Sequence, residues 1–98
     1  MPDYNRALNS SVNFIEHNLK NRFEMEDVAE RAGFSLFHFM RVFYSFTGYT
    51  LKGYIRERRL SESARELLES NRQVQELANE YGFESSETFI RAFKKEFN

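Results

Sequence analysis

Leu77-Ala78-Asn79-Glu80-Tyr81-Gly82-Phe83-Glu84-Ser85 repeats, with one inserted residue, a pattern already set out at Val28-Ala29-Glu30-Arg31-Ala32-Gly33-Phe34-Ser35. The correspondence runs on, with Phe39, Arg41 and Phe43 in register with Phe89, Arg91 and Phe93. The offset is 49 residues from Ala29 to Ala78 and 50 from Arg41 to Arg91, Glu84 being the extra residue. An alanine-bearing helix, a glycine turn, a serine and a second helix make the outline of a helix-turn-helix. Two such units in one short chain point to a protein that reads two stretches of DNA.

Outward from the repeat, the remaining segments also have helical periodicity. Leu8, Val12, Ile15 and Leu19 recur at i, i+4, i+7 and i+11, so a helix is expected from about 4 to 20, ended by Asn21-Arg22. Met25, Val28, Ala29 and Ala32 mark a short helix over about 25–32 that stops at Gly33, a residue suited to a left-handed cap. Ser35 is the expected N-cap of the next helix, about 36–47, which Gly48 ends. Thr50 caps a long helix over about 51–70 with Leu51, Ile55, Leu60, Ala64 and Leu67 or Leu68 inward. Val74, Leu77, Ala78 and Tyr81 define a fifth helix ending at Gly82, and Ser85 caps a sixth that carries Phe89, Phe93 and Phe97. No segment alternates with period two for long enough to suggest a strand. The expected fold is all-α: helix-turn-helix units at about 25–47 and 74–97, joined by a linker helix at about 51–70.

The chain has 98 residues, enough for one small domain or two very small units sharing a helix. Eleven Phe and a 41% hydrophobic content are enough for real cores. No apolar run is long enough to span a membrane, and Met1-Pro2-Asp3 opens no secretory signal. With no Cys there are no disulfides or thiolate metal sites, which fits a reducing compartment, and a cytoplasmic location is expected.

The net charge of −1 argues against a nucleic-acid partner, but its distribution does not. Residues 34–60 carry Arg41, Lys52, Arg56, Arg58 and Arg59 against Glu57, a balance of +4. Residues 61–87 carry two Arg against seven Glu, and residues 88–98 return to +2 through Arg91, Lys94 and Lys95 against Glu96. Basic segments therefore coincide with the second helix of each unit, and local potential matters more to an anionic partner than the total.

On the helix at 36–47, Leu36, Phe39, Phe43 and Phe46 share one face, which is expected to be core. Phe37, Met40, Arg41 and Tyr44 lie away from it. The plainer reading of Phe37 and Met40 is packing on a neighbouring helix. The alternative is a contact surface, and the DNA major groove accepts this mixture: Arg pairs bidentately with guanine, and Phe and Met lie against thymine methyls. On the helix at 86–97 the face away from the Phe stripe shows Ser86, Glu87, Ile90, Arg91 and Lys94. Glu87 repels phosphate and contributes only by accepting from a cytosine amino group. A linker helix of roughly 20 residues spans about 30 Å, close to the roughly 34 Å between reading units on one DNA face. Its Lys52, Arg56 and Arg59 are candidates for phosphate contact.

Gly33-Phe34-Ser35, Arg41, Phe43, Thr47-Gly48, Tyr54-Ile55-Arg56 and Arg58-Arg59-Leu60, with Val74, Leu77-Ala78, Tyr81 to Ser85, Phe89, Arg91, Phe93 and Lys94, carry a family resemblance. Over about residues 5 to 98 the chain closely resembles the DNA-binding domain of AraC/XylS-type transcription regulators. The resemblance implies two helix-turn-helix units on a long helix, reading adjacent major grooves of double-stranded promoter DNA and usually activating transcription by bacterial RNA polymerase. Carried over by position, base contacts fall on Phe37, Met40 and Arg41, and on Ser86, Glu87, Ile90 and Arg91. Backbone contacts are expected from Ser35, His38, Lys52, Arg56 and Arg59, and from Ser85, Thr88, Lys94 and Lys95. The family usually continues with a Pro-containing segment and a final helix, whereas this sequence stops at Asn98, which leaves open whether it is a fragment of a longer regulator. An effector-sensing domain, if there is one, is then expected beyond the C-terminus, as in Rob-like members. Glu87 departs from the neutral polar residue often found there.

Two other readings compete. No cofactor, metal or catalytic residue is expected, since His17 and His38 are the only histidines and neither a nucleophile nor a phosphate-loop motif accompanies them. A helical protein-interaction module without DNA binding also suits exposed aromatics and near-neutral charge. Salt separates it from a DNA reader, because several phosphate contacts make affinity fall steeply with ionic strength.

Overall fold

The computed structural model describes residues 3–97. Within them are six helices and no strand: α1 (Tyr4–His17), α2 (Met25–Ala32), α3 (Leu36–Thr47), α4 (Leu51–Glu69), α5 (Val74–Glu80) and α6 (Ser86–Phe97). The chain forms two compact units. The first takes the chain up to Asn18 together with Phe23–Ile55; the second takes Leu19–Arg22 and the chain from Arg56 onward.

In the first unit, Asp3 accepts the Arg6 amide at 3.0 Å and starts α1. The helix ends earlier than its apolar periodicity suggests. Asn18 donates its amide to Ile15 at 3.0 Å and its side-chain Nδ2 to the Phe14 carbonyl at 2.8 Å, closing the end at His17. Leu19 is buried all the same, but as part of the second unit. Val28, Ala29, Phe39 and Phe43 are buried almost completely, with Leu51 beneath the start of α4. Phe34, Phe39, Phe43 and Tyr54 form a chain of ring contacts with centroids 5.5–6.3 Å apart. Phe46, expected in that core, is 56% exposed. The inward face of α3 is Phe39, Val42 and Phe43, and Phe46 instead meets Tyr4 of α1 at 5.6 Å.

In the second unit, Leu60, Ala78 and Phe89 form the buried centre, with Leu67, Val74, Phe83, Ala92 and Phe93 packed around it. Of the two leucines proposed for the inner side of α4, Leu67 packs there and Leu68 is 76% exposed. The buried Ser63 hydroxyl donates to backbone carbonyls of its own helix, Arg59 at 2.7 Å and Leu60 at 2.9 Å, so burial leaves it satisfied.

The repeat is visible in backbone detail. The Phe34 amide donates to Ala29 at 3.0 Å and the Gly33 amide to Glu30 at 3.0 Å; Phe83 to Ala78 at 2.8 Å and Gly82 to Asn79 at 3.2 Å reproduce the pair. This is a Schellman closure, which needs a left-handed residue. Gly33 and Gly82 supply it with φ of 82° and 80°. The repeat also extends backward to a feature the residue pattern did not announce. Glu24 with Asp27 starts α2, and Gln73 with Glu76 starts α5, each pair forming a reciprocal capping box.

Candidate nucleic-acid interface

In each unit a serine fixes the N-terminus of the second helix. Ser35 Oγ accepts the His38 amide at 3.4 Å, and Ser85 Oγ accepts the Thr88 amide at 3.1 Å. Both serines were expected to touch phosphate. An accepting hydroxyl keeps its own proton to donate, so capping and phosphate contact are compatible for Ser35. Ser85 is more constrained, because its hydroxyl also lies 3.0 Å from Thr88 Oγ1 and the two share a hydrogen bond. His38 is half-buried, its ring edge-on to Phe34 at 4.9 Å.

On α3, Phe37 is 76% exposed, Arg41 is exposed and Met40 is half-buried. Packing on a neighbouring helix does not account for Phe37. On α6, Glu87, Ile90 and Arg91 are exposed and Ser86 is half-buried. Each helix thus presents one face of consecutive turns with its arginine at the same place.

Most of the cations fall into two groups; outside them, Arg6 and Arg22 are exposed and enter no ion pair among the described residues, and exposed Arg31 lies over the Phe14 ring at 5.0 Å. Among the described residues, Arg41, Lys52 and Arg56 enter no ion pair, and neither do Arg91, Lys94 and Lys95; all six are exposed. Other cations are engaged internally. Lys20 binds Glu66 at 3.0 Å and Glu80 at 3.2 Å and lies over the Tyr81 ring. Arg65 spans Glu62 and Glu69, Arg58 binds Glu62, and Arg72 binds Glu76 and Glu80.

Arg59, expected at phosphate, belongs to the second group. Its Nε donates to the Leu19 carbonyl at 3.1 Å and its Nη2 to the Asn21 carbonyl at 3.0 Å. Burial lowers its pKa from the ordinary value. The guanidinium holds residues 19–22 against α4 within the second unit, a structural role.

The acidic stretch at 61–87 also changes character. Glu62, Glu66, Glu69, Glu76 and Glu80 all sit in the ion pairs above. The Tyr81 hydroxyl, and after it Lys20, hold the Glu66 carboxyl below the usual glutamate value. Hydrogen bonds from Arg65 and then Arg58 do the same for Glu62. Burial, with Glu66 second, pushes the Tyr81 hydroxyl up. Glu84 and Glu87 remain at the surface. With Glu76 they line an open cavity of about 620 Å³ between α5 and the start of α6, a lining that would repel a phosphate.

Among the described residues no helix is long and apolar enough to cross a membrane, and no three His, Asp or Glu side chains gather as a metal site would require.

Comparison with known proteins agrees with this arrangement. The family model for a helix-turn-helix domain matches residues 28–98. The multiple antibiotic resistance protein MarA of Escherichia coli (strain K12) is 43% identical over 92 residues, covering 94% of this chain and 72% of MarA. The solved structure of the DNA-binding domain of AdpA, a global transcriptional factor in complex with a target DNA, superposes with a TM-score of 0.81. It is 28% identical and covers 94% of this chain and 82% of that one. A transcriptional regulator from Chromobacterium violaceum, of the proteins containing an AraC-type DNA-binding domain, reaches a TM-score of 0.89. At 23% identity, covering 96% of this chain and 84% of that one, it bears on the fold alone. With its doubled helix-turn-helix, its family match and its identity to MarA, the chain belongs to the AraC-type family of helix-turn-helix DNA-binding domains.

Proposed function

We propose that this chain is a sequence-specific DNA-binding transcription regulator whose α3 and α6 read adjacent major grooves of promoter DNA. The observation that carries this reading is that the cations of α3, of the start of α4 and of α6 are all exposed and enter no ion pair. Arg41, Lys52, Arg56, Arg91, Lys94 and Lys95 are exposed and enter no ion pair, while Lys20, Arg58, Arg59, Arg65 and Arg72 are held by carboxylates or carbonyls. A charge held internally gains little from phosphate; an exposed, unpaired one releases counterions on binding. Phe37, Met40 and Arg41 are the proposed base-reading residues of α3, with Ser86, Glu87, Ile90 and Arg91 on α6. Lys52, Arg56, Lys94 and Lys95 are proposed at the sugar–phosphate backbone, joined by Ser35 and His38. Ser85 and Thr88 are secondary there, since they bond each other. The complex of AdpA with its target DNA supports a duplex partner. The family resemblance supports activation through contact with RNA polymerase, and no catalytic role is assigned.

Selection of bound sequences from random duplexes, followed by footprinting, tests this. Two protected patches about ten base pairs apart are expected, with affinity falling steeply as salt rises. A single short patch would restrict reading to one unit. Binding insensitive to salt would instead favour an apolar protein interface.

A further inference from the structure

The internal repeat reaches one residue further than the contacts assigned so far. From Ser35 and Ser85 onward the two second helices correspond at an offset of 50 residues, so Arg41 matches Arg91 and Tyr44 matches Lys94. Exposure matches as well as order: Phe39 and Phe89 are fully buried, Arg41 and Arg91 exposed, and Tyr44 and Lys94 both exposed. Tyr44 is 58% exposed and takes no part in the ring contacts of the first unit's core. Its carbonyl accepts the Gly48 amide at 2.9 Å, so the helix is regular through this residue and ends just beyond it.

Tyr44 lies three residues after Arg41 and seven after Phe37, on the same face. Seven residues at about 1.5 Å each place it about 10 Å along the axis from Phe37. The major groove is about 12 Å wide. With Phe37 and Arg41 on base edges, Tyr44 is carried to the groove wall, where the phosphates run. A phenol suits that place, its ring lying along sugar and its hydroxyl donating outward.

We infer that Tyr44 is a phosphate-anchoring residue of α3: its Oη–H donates to a non-bridging phosphate oxygen at the edge of the groove that α3 reads. This rests on the DNA-binding reading above. It makes Tyr44 the neutral counterpart of Lys94 and predicts an asymmetry between the helices. Anchoring by α6 releases a counterion and weakens with salt; anchoring by Tyr44 does not.

The test is equilibrium binding of the whole chain to a selected duplex, and to its single-base variants, over a range of salt. Tyr44→Phe is expected to lower affinity about three- to ten-fold, by the same factor on every sequence and with the salt slope unchanged. Lys94→Gln should reduce the slope by about one. Tyr44→Lys should recover low-salt affinity and add about one to the slope. Replacing one phosphate at the flank of the first site by methylphosphonate should bring the wild type and Tyr44→Phe to equal affinity. Wild-type affinity in Tyr44→Phe overturns the inference, as does a loss confined to one base pair, which would make Tyr44 a base reader. If the wild type binds no duplex in a salt-sensitive way, the DNA-binding reading fails and this inference with it. Unchanged thermal unfolding of Tyr44→Phe separates lost contact from lost fold.

Discussion

Arg41 on α3 is exposed and enters no ion pair, whereas the Arg59 guanidinium on α4 is bonded to the carbonyls of Leu19 and Asn21. The same substitution therefore has different consequences at the two sites. Arg41→Ala should cost about 1–3 kcal/mol of DNA binding and relax preference at one base pair, as loss of a bidentate guanine contact does. Thermal unfolding should stay where it is, since nothing inside the protein leans on that side chain. Unchanged affinity and preference would show that α3 is not the reading helix. Arg59→Ala should instead cost about 1–3 kcal/mol of folding stability, because two hydrogen bonds from a charged donor are lost. Well below its melting temperature, that variant should bind DNA with an unaltered salt slope. A normal melt with a flattened slope would return Arg59 to the phosphate backbone.

At the level of helices, α4 and α5 are tied by carboxylates whose protonation is linked to folding. The Tyr81 hydroxyl and then Lys20 depress the Glu66 carboxyl from its ordinary value of 4.5. A carboxylate with a lowered folded-state pKa stabilises the fold fully above its unfolded value, and loses that contribution as pH falls through the lowered one. The stability gap between wild type and Glu66→Gln, measured by urea unfolding, should therefore be constant above pH 4.5 and close below it. A gap independent of pH would mean that the carboxylate charge is not what holds Tyr81 and Lys20. Such ties explain which parts of the molecule could be read from the chain alone. Helix order, the turn glycines and the serine caps follow from neighbours within a few residues, and all were legible. So was the exposed α3 face carrying Phe37 and Arg41. The capping boxes at Glu24 and Gln73 were open to the same reading, because Asp27 and Glu76 recur at the repeat offset of 49, but Glu and Gln are unusual N-caps. The fate of Arg59 depends on carbonyls 38 and 40 residues away, and that of Glu66 on Lys20, 46 residues away. No local pattern encodes those meetings. Phe46 fell on the apolar stripe by spacing, yet the stripe turns away from the core at the end of α3, and Tyr4 meets it instead.

Taken as a whole, the chain carries one motif twice, and the two copies differ most where they would meet DNA. The first presents Phe37 where the second presents Glu87, one turn before the matching arginines. Most of the acid between the copies is neutralised by ion pairs, so the repulsion that remains is local. It comes from Glu87 and Glu84 at the cavity in front of α6, with the paired Glu76 beside them. A carboxylate at a helix start is favourable for folding, since it faces the positive end of the helix dipole. It is unfavourable beside phosphate unless a cytosine amino group lies within reach. The first unit should therefore dominate both affinity and specificity. Glu87→Gln should tighten binding to most duplexes, with the largest gain at low salt, where the repulsion is least screened. Against sites carrying a cytosine at the contacted position, the gain should shrink or reverse. Arg91→Ala should lose less affinity than Arg41→Ala on the same selected duplex, and the second half of the footprint should weaken before the first as salt rises. Equal losses from the two arginines, with no gain from Glu87→Gln on any sequence, would show that both helices read with equal weight and that Glu87 is a working contact.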